Sequence, residues 1–218
     1  MGEVIIVDDS STDNSLEKIR KFDDSRIKLL MHSKNLGKGK SVSDGLNAAL
    51  LPFVIIQDAD LEYDPSEYDL LLVPLLEGKA DVVFGSRFLS GRSRRVLYYW
   101  HSLGNSFLTT LSNIFTNLNL TDMETCYKLM TKEVAKSLVI REPRFGIEPE
   151  ITGQVAAFGV RVYEVAISYY GRTYAEGKKI TWKDGFSAIR CIIKYNLNSR
   201  KKEFRKNFIK TRLTLKND

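Results

Sequence analysis

An α/β fold built on a mostly parallel sheet is what this sequence predicts, and three features carry the prediction. Short runs of β-forming apolar residues alternate with segments of helical period. The apolar runs are continuous rather than alternating, as in strands buried on both faces. Each run then breaks into polar residues: Asp8 and Asp9 after "EVIIV", Asp58 and Asp60 after "PFVIIQ", Ser86 and Arg87 after "ADVVFG". Ligands of open α/β sheets sit outside the carboxyl ends of the strands. The three polar clusters are therefore predicted to share one rim.

The elements follow in order. "EVIIVDDSS" reads as a buried strand running into a loop. "STDNSLEKIRKF" reads as a helix, with Ser11, Thr12 and Asp13 as candidate N-caps and Leu16, Ile19 and Arg20 opening its period. "RIKLLMH" is a second strand, and "NLGKGKSVSDGLNAAL" a Gly-rich turn entering a helix with small residues on one face. "PFVIIQD" is a third strand. "PSEYDLLLVPLLEG" is a helix with Pro65 suited to its first turn. "ADVVFGSRF" is a fourth strand. Residues 95–118 place Trp100, Leu103, Phe107, Leu111, Ile114 and Phe115 at helical spacing, as in a core-facing helix. The alternative is a lipid-touching helix, suggested by the preceding "RSRR" and by Tyr98, Tyr99 and Trp100. "VRVYEVAISYY" is a late strand and "WKDGFSAIRCIIKYNL" a last amphipathic helix. No repeat or low-complexity linker intervenes before about residue 195.

The 218 residues are enough for a sizeable core, and 43% hydrophobic with 28% charged is an ordinary soluble composition. No run reaches the roughly 18 apolar residues of a membrane span, and no signal peptide opens the chain. Cys126 and Cys191 read as buried small apolar residues in a reducing, cytoplasmic compartment. His32 and His101 lack the partner spacing of a His-based metal site. The net charge of +6 is concentrated at one end. Residues 200–218 carry eight Lys or Arg against two acids, so the rest is neutral. The expected division is a globular domain over 1–197 and a basic tail over 198–218. That tail reads either as a solvated, frayed terminus or as a patch drawn to the anionic inner face of a membrane. Nucleic acid is disfavoured, because no recognition motif accompanies the charge.

The chemistry centres on "DADLEYDP". Asp58 and Asp60, two apart at a strand end, point to the same side. Such a pair suits Mg²⁺ or Mn²⁺, which keep several waters and complete their shell with substrate phosphates. Glu62 offers a third oxygen. An acid pair after the first strand and an aspartate after the third also occur in phosphorelay receiver domains. Those need a lysine at the end of the fifth strand, and no lysine falls between Lys79 and Lys128.

Seven segments in order, "IIVDDSSTDNS", "NLGKGKSVSDGLNAA", "DADLEYDP", "VVFGSRF", "TDMETCYKLM", "FGIEPEIT" and "YYGRTYAEGKKITWKDG", strongly resemble family 2 glycosyltransferases of the GT-A fold, with its Rossmann-like sheet flanked by helices. The branch they look most like is that of dolichyl- or polyprenyl-phosphate mannose and glucose synthases. The resemblance spans residues 3 to about 197. It implies that Val7 and Asp9 hold the base and ribose of a nucleotide-sugar, of GDP-mannose or UDP-glucose type. It implies that Asp58, Ala59 and Asp60 lie on the metal-bridged diphosphate, with Glu62 beside them. Arg87 would face the donor sugar or phosphates, and Arg172 and Lys178 would close over the diphosphate. Asp122, Glu148 and Glu150 would line the acceptor side; Asp122 and Arg87 would be catalytic, Asp122 removing the proton where the acceptor is a hydroxyl. Inverting transfer to a polyprenyl phosphate or a glycan, at the membrane periphery, is the implied activity.

One departure stands out. The family opens with a strand and turn of the type "VVIPxYNE", whereas here Met1-Gly2 leads straight into the next strand. The expectation is a sheet one strand short, with an exposed edge on "EVIIV". A nucleotide-sugar-binding module without turnover is the alternative this departure raises.

Overall fold

The computed structural model describes residues 2–96, 98–144, 146–173, 176 and 182–215. Strands and helices alternate through the first half: β1 (Val4–Asp8), α1 (Ser15–Arg20), β2 (Ile27–Met31), α2 (Lys38–Ala48), β3 (Phe53–Ile55), α3 (Tyr68–Leu76) and β4 (Val82–Ser86). The second half adds α4 (Tyr99–Thr116), β5 (Lys128–Thr131), α5 (Lys132–Ser137), α6 (Ile147–Phe158), β6 (Val162–Ala166), α7 (Trp182–Asn196) and α8 (Asn198–Leu215). Local chemistry sets several starts. The Ser15 amide donates to Asp13 Oδ1 at 3.0 Å where α1 begins. Asp64 Oδ1 accepts the Ser66 amide at 2.9 Å over the single 3₁₀ turn that precedes α3.

The sheet is not one mostly parallel layer. β1 pairs in parallel with β2 alone, and a separate four-stranded sheet runs β3-β5-β4-β6. In that sheet β5 is antiparallel to both β3 and β4, while β4 and β6 are parallel. Among the described residues β1 and β3 each have one edge without a ladder partner, as expected for "EVIIV". Their apolar residues are accordingly only partly buried or exposed, whereas all of β4 is buried.

Reversing β5 has a geometric effect on the rim. β3, β4 and β6 deliver their carboxyl ends there, and β5 delivers its amino end. The segment 121–127 is thereby brought beside residues 56–62, 87 and 167–172. "CYKLM" is too short a run to announce a strand by period.

The four-stranded sheet is packed on both faces, because successive strand residues point opposite ways. Val82 and Phe84 of β4 with Met130 of β5 face Ile147, Ile151 and Val155 of α6 and Tyr195 of α7. Val83 and Leu129 face Leu71 and Leu75 of α3. Ten of the twelve residues of α6 are buried, so its sequence carries little amphipathic period. Pro149 sits in its first turn, where no helical hydrogen bond is lost.

Two further expectations change. The core-facing reading of residues 95–118 fails. α4 turns Thr109 and Ser112 inward and leaves Trp100, Leu103, Phe107 and Ile114 exposed, Trp100 at 76%. The basic C-terminal segment is no frayed terminus either. It forms α8, which packs on α5 and α6, with Phe204 fully buried and Phe208 stacked on Phe158 at 4.7 Å.

Candidate active site

The carboxylates after β3 are each met by a cation from a distant part of the chain. Lys38, the first residue of α2, places Nζ 2.9 Å from Asp58 Oδ2 and 3.0 Å from Glu148 Oε1. Two glycines make this position accessible. Gly37 adopts φ +90°, and a Cβ on Gly39 would lie 1.8 Å from the Glu142 carbonyl oxygen. The Gly39 amide donates to the Pro143 carbonyl at 2.9 Å, clamping the start of α2 against the approach to α6. Burial works against the Lys38 charge, but the Glu148 and Asp58 carboxylates outweigh it and hold its pKa well above the usual value.

Arg172 spans the other two acids. Its Nη2 lies 2.9 Å from Asp60 Oδ2, and its Nε lies 2.9 Å from Glu62 Oε1. Glu62 Oε2 accepts the Tyr169 hydroxyl at 3.1 Å. Burial favours the neutral form of Glu62, yet these partners keep its pKa below the ordinary range. Asp60 is pushed the other way by burial and by the Glu62 and Asp58 charges. Asp58 and Asp60 thus repel each other at the rim, whereas Glu62, expected as a third metal oxygen, is committed to Arg172 and Tyr169. Among the described residues no three His, Cys, Asp or Glu groups converge as a metal cluster. Two repelling carboxylates fit a hard cation that draws its remaining oxygens from water and a diphosphate. Ala59, between them, is exposed.

Arg87 and Asp122 form a closed pair. Asp122 Oδ2 accepts the Arg87 amide at 3.1 Å and Nε at 2.6 Å, and Oδ1 accepts Nη2 at 2.7 Å. Asn105 Nδ2 adds a fourth bond, to Oδ1, at 3.3 Å. The Asp122 side chain is fully buried. The guanidinium carbon of Arg87 lies 5.1 Å from the centre of the Tyr169 ring. Expected as base and donor contact, these two residues spend their polar atoms mainly on each other.

Between the two arrangements lies Lys128, fully buried at the start of β5. Its ammonium donates to Glu148 Oε2 at 2.9 Å and to the Met123 carbonyl at 3.3 Å, with a further bond to the Thr125 carbonyl. An ion-pair chain therefore runs Asp58–Lys38–Glu148–Lys128. Glu148 lies at this rim, bonded to Lys38 and Lys128. Glu150 does not, because its carboxylate accepts the Arg141 and Glu142 amides at 2.8–3.0 Å. Glu124, in the loop held by Lys128, has Oε1 buried with no hydrogen-bond partner among the described residues.

Asp9 is occupied as well. Its Oδ1 accepts the Leu36 amide at 2.8 Å and faces His32 Nδ1 at 2.7 Å, and its Oδ2 accepts the Gly37 amide at 2.7 Å. It braces the turn that presents Lys38, while Val7 lies beneath Gly45 of α2. Lys178 lies outside the described residues. Sequence reasoning did not single out Lys38, Lys128 or Glu124, and weighed His32 only as a metal ligand. A lysine inside the apolar run "CYKLM" was the one local signal.

The sequence profile of glycosyl transferase family 2 matches residues 2–139. The chain belongs to glycosyl transferase family 2. Within this family it is 26% identical over 172 residues to glycosyltransferase AglJ of Haloferax volcanii, covering 78% of this chain and 55% of that one. It is 30% identical over 170 residues to a Mycobacterium tuberculosis protein described as putative glycosyltransferases, covering 76% and 46%. The chain thus spans about half the length of these two relatives. A solved structure of M. tuberculosis glucosyl-3-phosphoglycerate synthase, in complex with Mn²⁺, UDP and phosphoglyceric acid, superposes with a TM-score of 0.64. It is 17% identical, and the match covers 91% of this chain and 67% of that one. That likeness establishes the GT-A fold, a central sheet flanked by helices.

Proposed function

We propose that this family 2 chain is an inverting hexosyltransferase that draws on a nucleotide-diphosphate sugar, with Mg²⁺ or Mn²⁺ held by Asp58 and Asp60. The observation that carries the reading is the meeting of Asp58, Asp60, Lys38 and Arg172 at one rim of the sheet. The Mn²⁺ and UDP bound by a synthase of the same fold support it.

The chemistry follows from the bond that breaks. As the sugar leaves, its carbon becomes cation-like and the diphosphate gains negative charge. The cation, when bound, supplies positive charge to that leaving group. Arg172 stands at the edge of the same acids and is proposed to add to this neutralisation, with Lys178 assigned the same task on sequence alone. Groups that act mainly on charge developed in the transition state raise the rate rather than ground-state affinity. Attack by a single acceptor from the opposite face inverts the anomeric centre.

Two acceptor classes fit: a polyprenyl phosphate, already anionic, or a glycan hydroxyl, which must lose a proton. Presentation at a membrane periphery is supported by the exposed aromatic face of α4 beside Arg92, Arg94 and Arg95. A binding module without turnover is the second reading, favoured by the edges of β1 and β3 that have no ladder partner among the described residues.

The test is calorimetric titration with GDP-mannose and UDP-glucose, with and without Mn²⁺. Donor binding that requires Mn²⁺ and is lost in Asp60→Ala is expected. Equal affinity in that variant would remove the metal site from the argument. Metal-dependent binding without nucleotide release in the presence of membranes would leave only the module.

A further inference from the structure

Seven carboxylates approach the rim, and one of them keeps a buried oxygen that no described residue meets. Asp58 and Asp60 face Lys38 and Arg172, and Glu62 is held by Arg172 and Tyr169. Asp122 gives both oxygens to Arg87. Glu148 gives both to Lys38 and Lys128. Glu164 is taken by the Thr121 and Asp122 amides. Among the described residues, Glu124 alone of this set has a buried oxygen, Oε1, without a hydrogen-bond partner. A buried polar atom left unsatisfied costs on the order of 1–3 kcal/mol, so its retention calls for a reason.

Its surroundings suggest one. Glu124 feels the charges of Arg87, Asp122, Lys128 and Glu148. Burial above all, and then the Glu148 charge, push its pKa up to about 7, against the opposing pull of Lys128 and Arg87, with Asp122 adding to the rise. A carboxylate near neutrality is suited to accept a proton in a transition state. The loop is also fixed in place: Lys128 binds the carbonyls on either side, of Met123 and Thr125.

We propose that Glu124, rather than Asp122, is the base of the transfer, and that the acceptor is therefore a hydroxyl rather than a phosphate. The inference rests on the transferase reading above. The acceptor O–H attacks the anomeric carbon, its proton passes to the half-buried Glu124 carboxylate, and the carbon–oxygen bond to the diphosphate breaks with the electron pair leaving on the diphosphate. Asp122 is then a positioning residue, which sets Arg87.

The experiment compares the parent chain with Glu124→Gln, using UDP-glucose or GDP-mannose with Mn²⁺. Donor affinity is measured by titration. Turnover is measured as nucleoside diphosphate release, first with water as the only hydroxyl, then with simple glycosides, then with undecaprenyl phosphate. The expected result is donor affinity unchanged within twofold and hydroxyl-dependent release lowered by roughly 10²–10⁴-fold. Glu124→Asp should restore part of it. Glu124→Gln should melt no lower than the parent at pH 8, because it removes a charge that burial and the Glu148 and Asp122 carboxylates disfavour. Release at the parental rate in Glu124→Gln would overturn the proposal. So would undecaprenyl phosphate serving as the preferred acceptor with a rate indifferent to the substitution. Absence of donor binding by the parent chain would instead defeat the transferase reading, and the base with it.

Discussion

Replacing Asp122 by alanine should destabilise the fold far more than an ordinary loop substitution. The Asp122 side chain is fully buried, and Arg87 is 15% exposed. Among the described residues, removal would leave the Arg87 guanidinium with Asn105 Oδ1 at 3.4 Å and the neighbouring Tyr169. Breaking a buried ion pair at one partner typically costs about 3–5 kcal/mol, because the remaining charge is left uncompensated. At this chain length each kcal/mol moves the melting temperature by roughly 2–4 °C, so a fall of about 6–20 °C is expected. Urea unfolding followed by circular dichroism gives the free energy directly, and a thermal melt gives the shift. The double variant Arg87→Met with Asp122→Leu should recover most of the loss, since an apolar pair of similar volume often replaces a buried ion pair at little cost. An Asp122→Ala protein within about 1 kcal/mol of the parent would refute the reasoning. Asp122 would then be free for proton transfer, and the case for Glu124 would weaken.

Stability should also depend on pH through His32, whose ring bridges Asp9 at 2.7 Å and Asp44 at 2.9 Å. These hydrogen bonds raise its pKa above 6.5, so its contribution is full below that pH and is lost as pH rises through the folded-state value. The stability difference between parent and His32→Gln should shrink from pH 6 to pH 8 in urea titrations; a flat difference would remove the bridge from the account. Reversing the exposed Lys202, Arg205, Lys206 and Lys210 of α8 to glutamate should weaken flotation with anionic vesicles, by on the order of 1 kcal/mol per residue at the surface. The effect should fade with added salt, and unchanged, salt-insensitive flotation would make the charge a bystander.

The rim was legible in the sequence because strand ends are. Continuous apolar runs stop at Asp8, Ser86 and the acids following β3, and each change of composition falls at or near a strand end. What lay hidden were contacts made across the chain. Lys38 reads as a solvated cation in a glycine-rich turn until its partner Glu148, 110 residues on, is in place. Asp122 and Glu124 are two carboxylates two residues apart, and nothing local distinguishes the one Arg87 neutralises from the one left open. α4 misled for a simpler reason. Its apolar residues do follow helical period, but period identifies a face and not what covers it; here Thr109 and Ser112 face the protein.

The placement of α8 limits how its charge can act. A floppy basic arm could reach out and catch a bilayer from a distance set by its own length. This helix cannot, because Phe204 and Phe208 are part of the protein interior and Lys201 Nζ is bonded to the Phe115 carbonyl at the end of α4 at 2.6 Å. Its lysines and arginines therefore work from fixed stations on α5 and α6, so any surface they meet is met at a set angle.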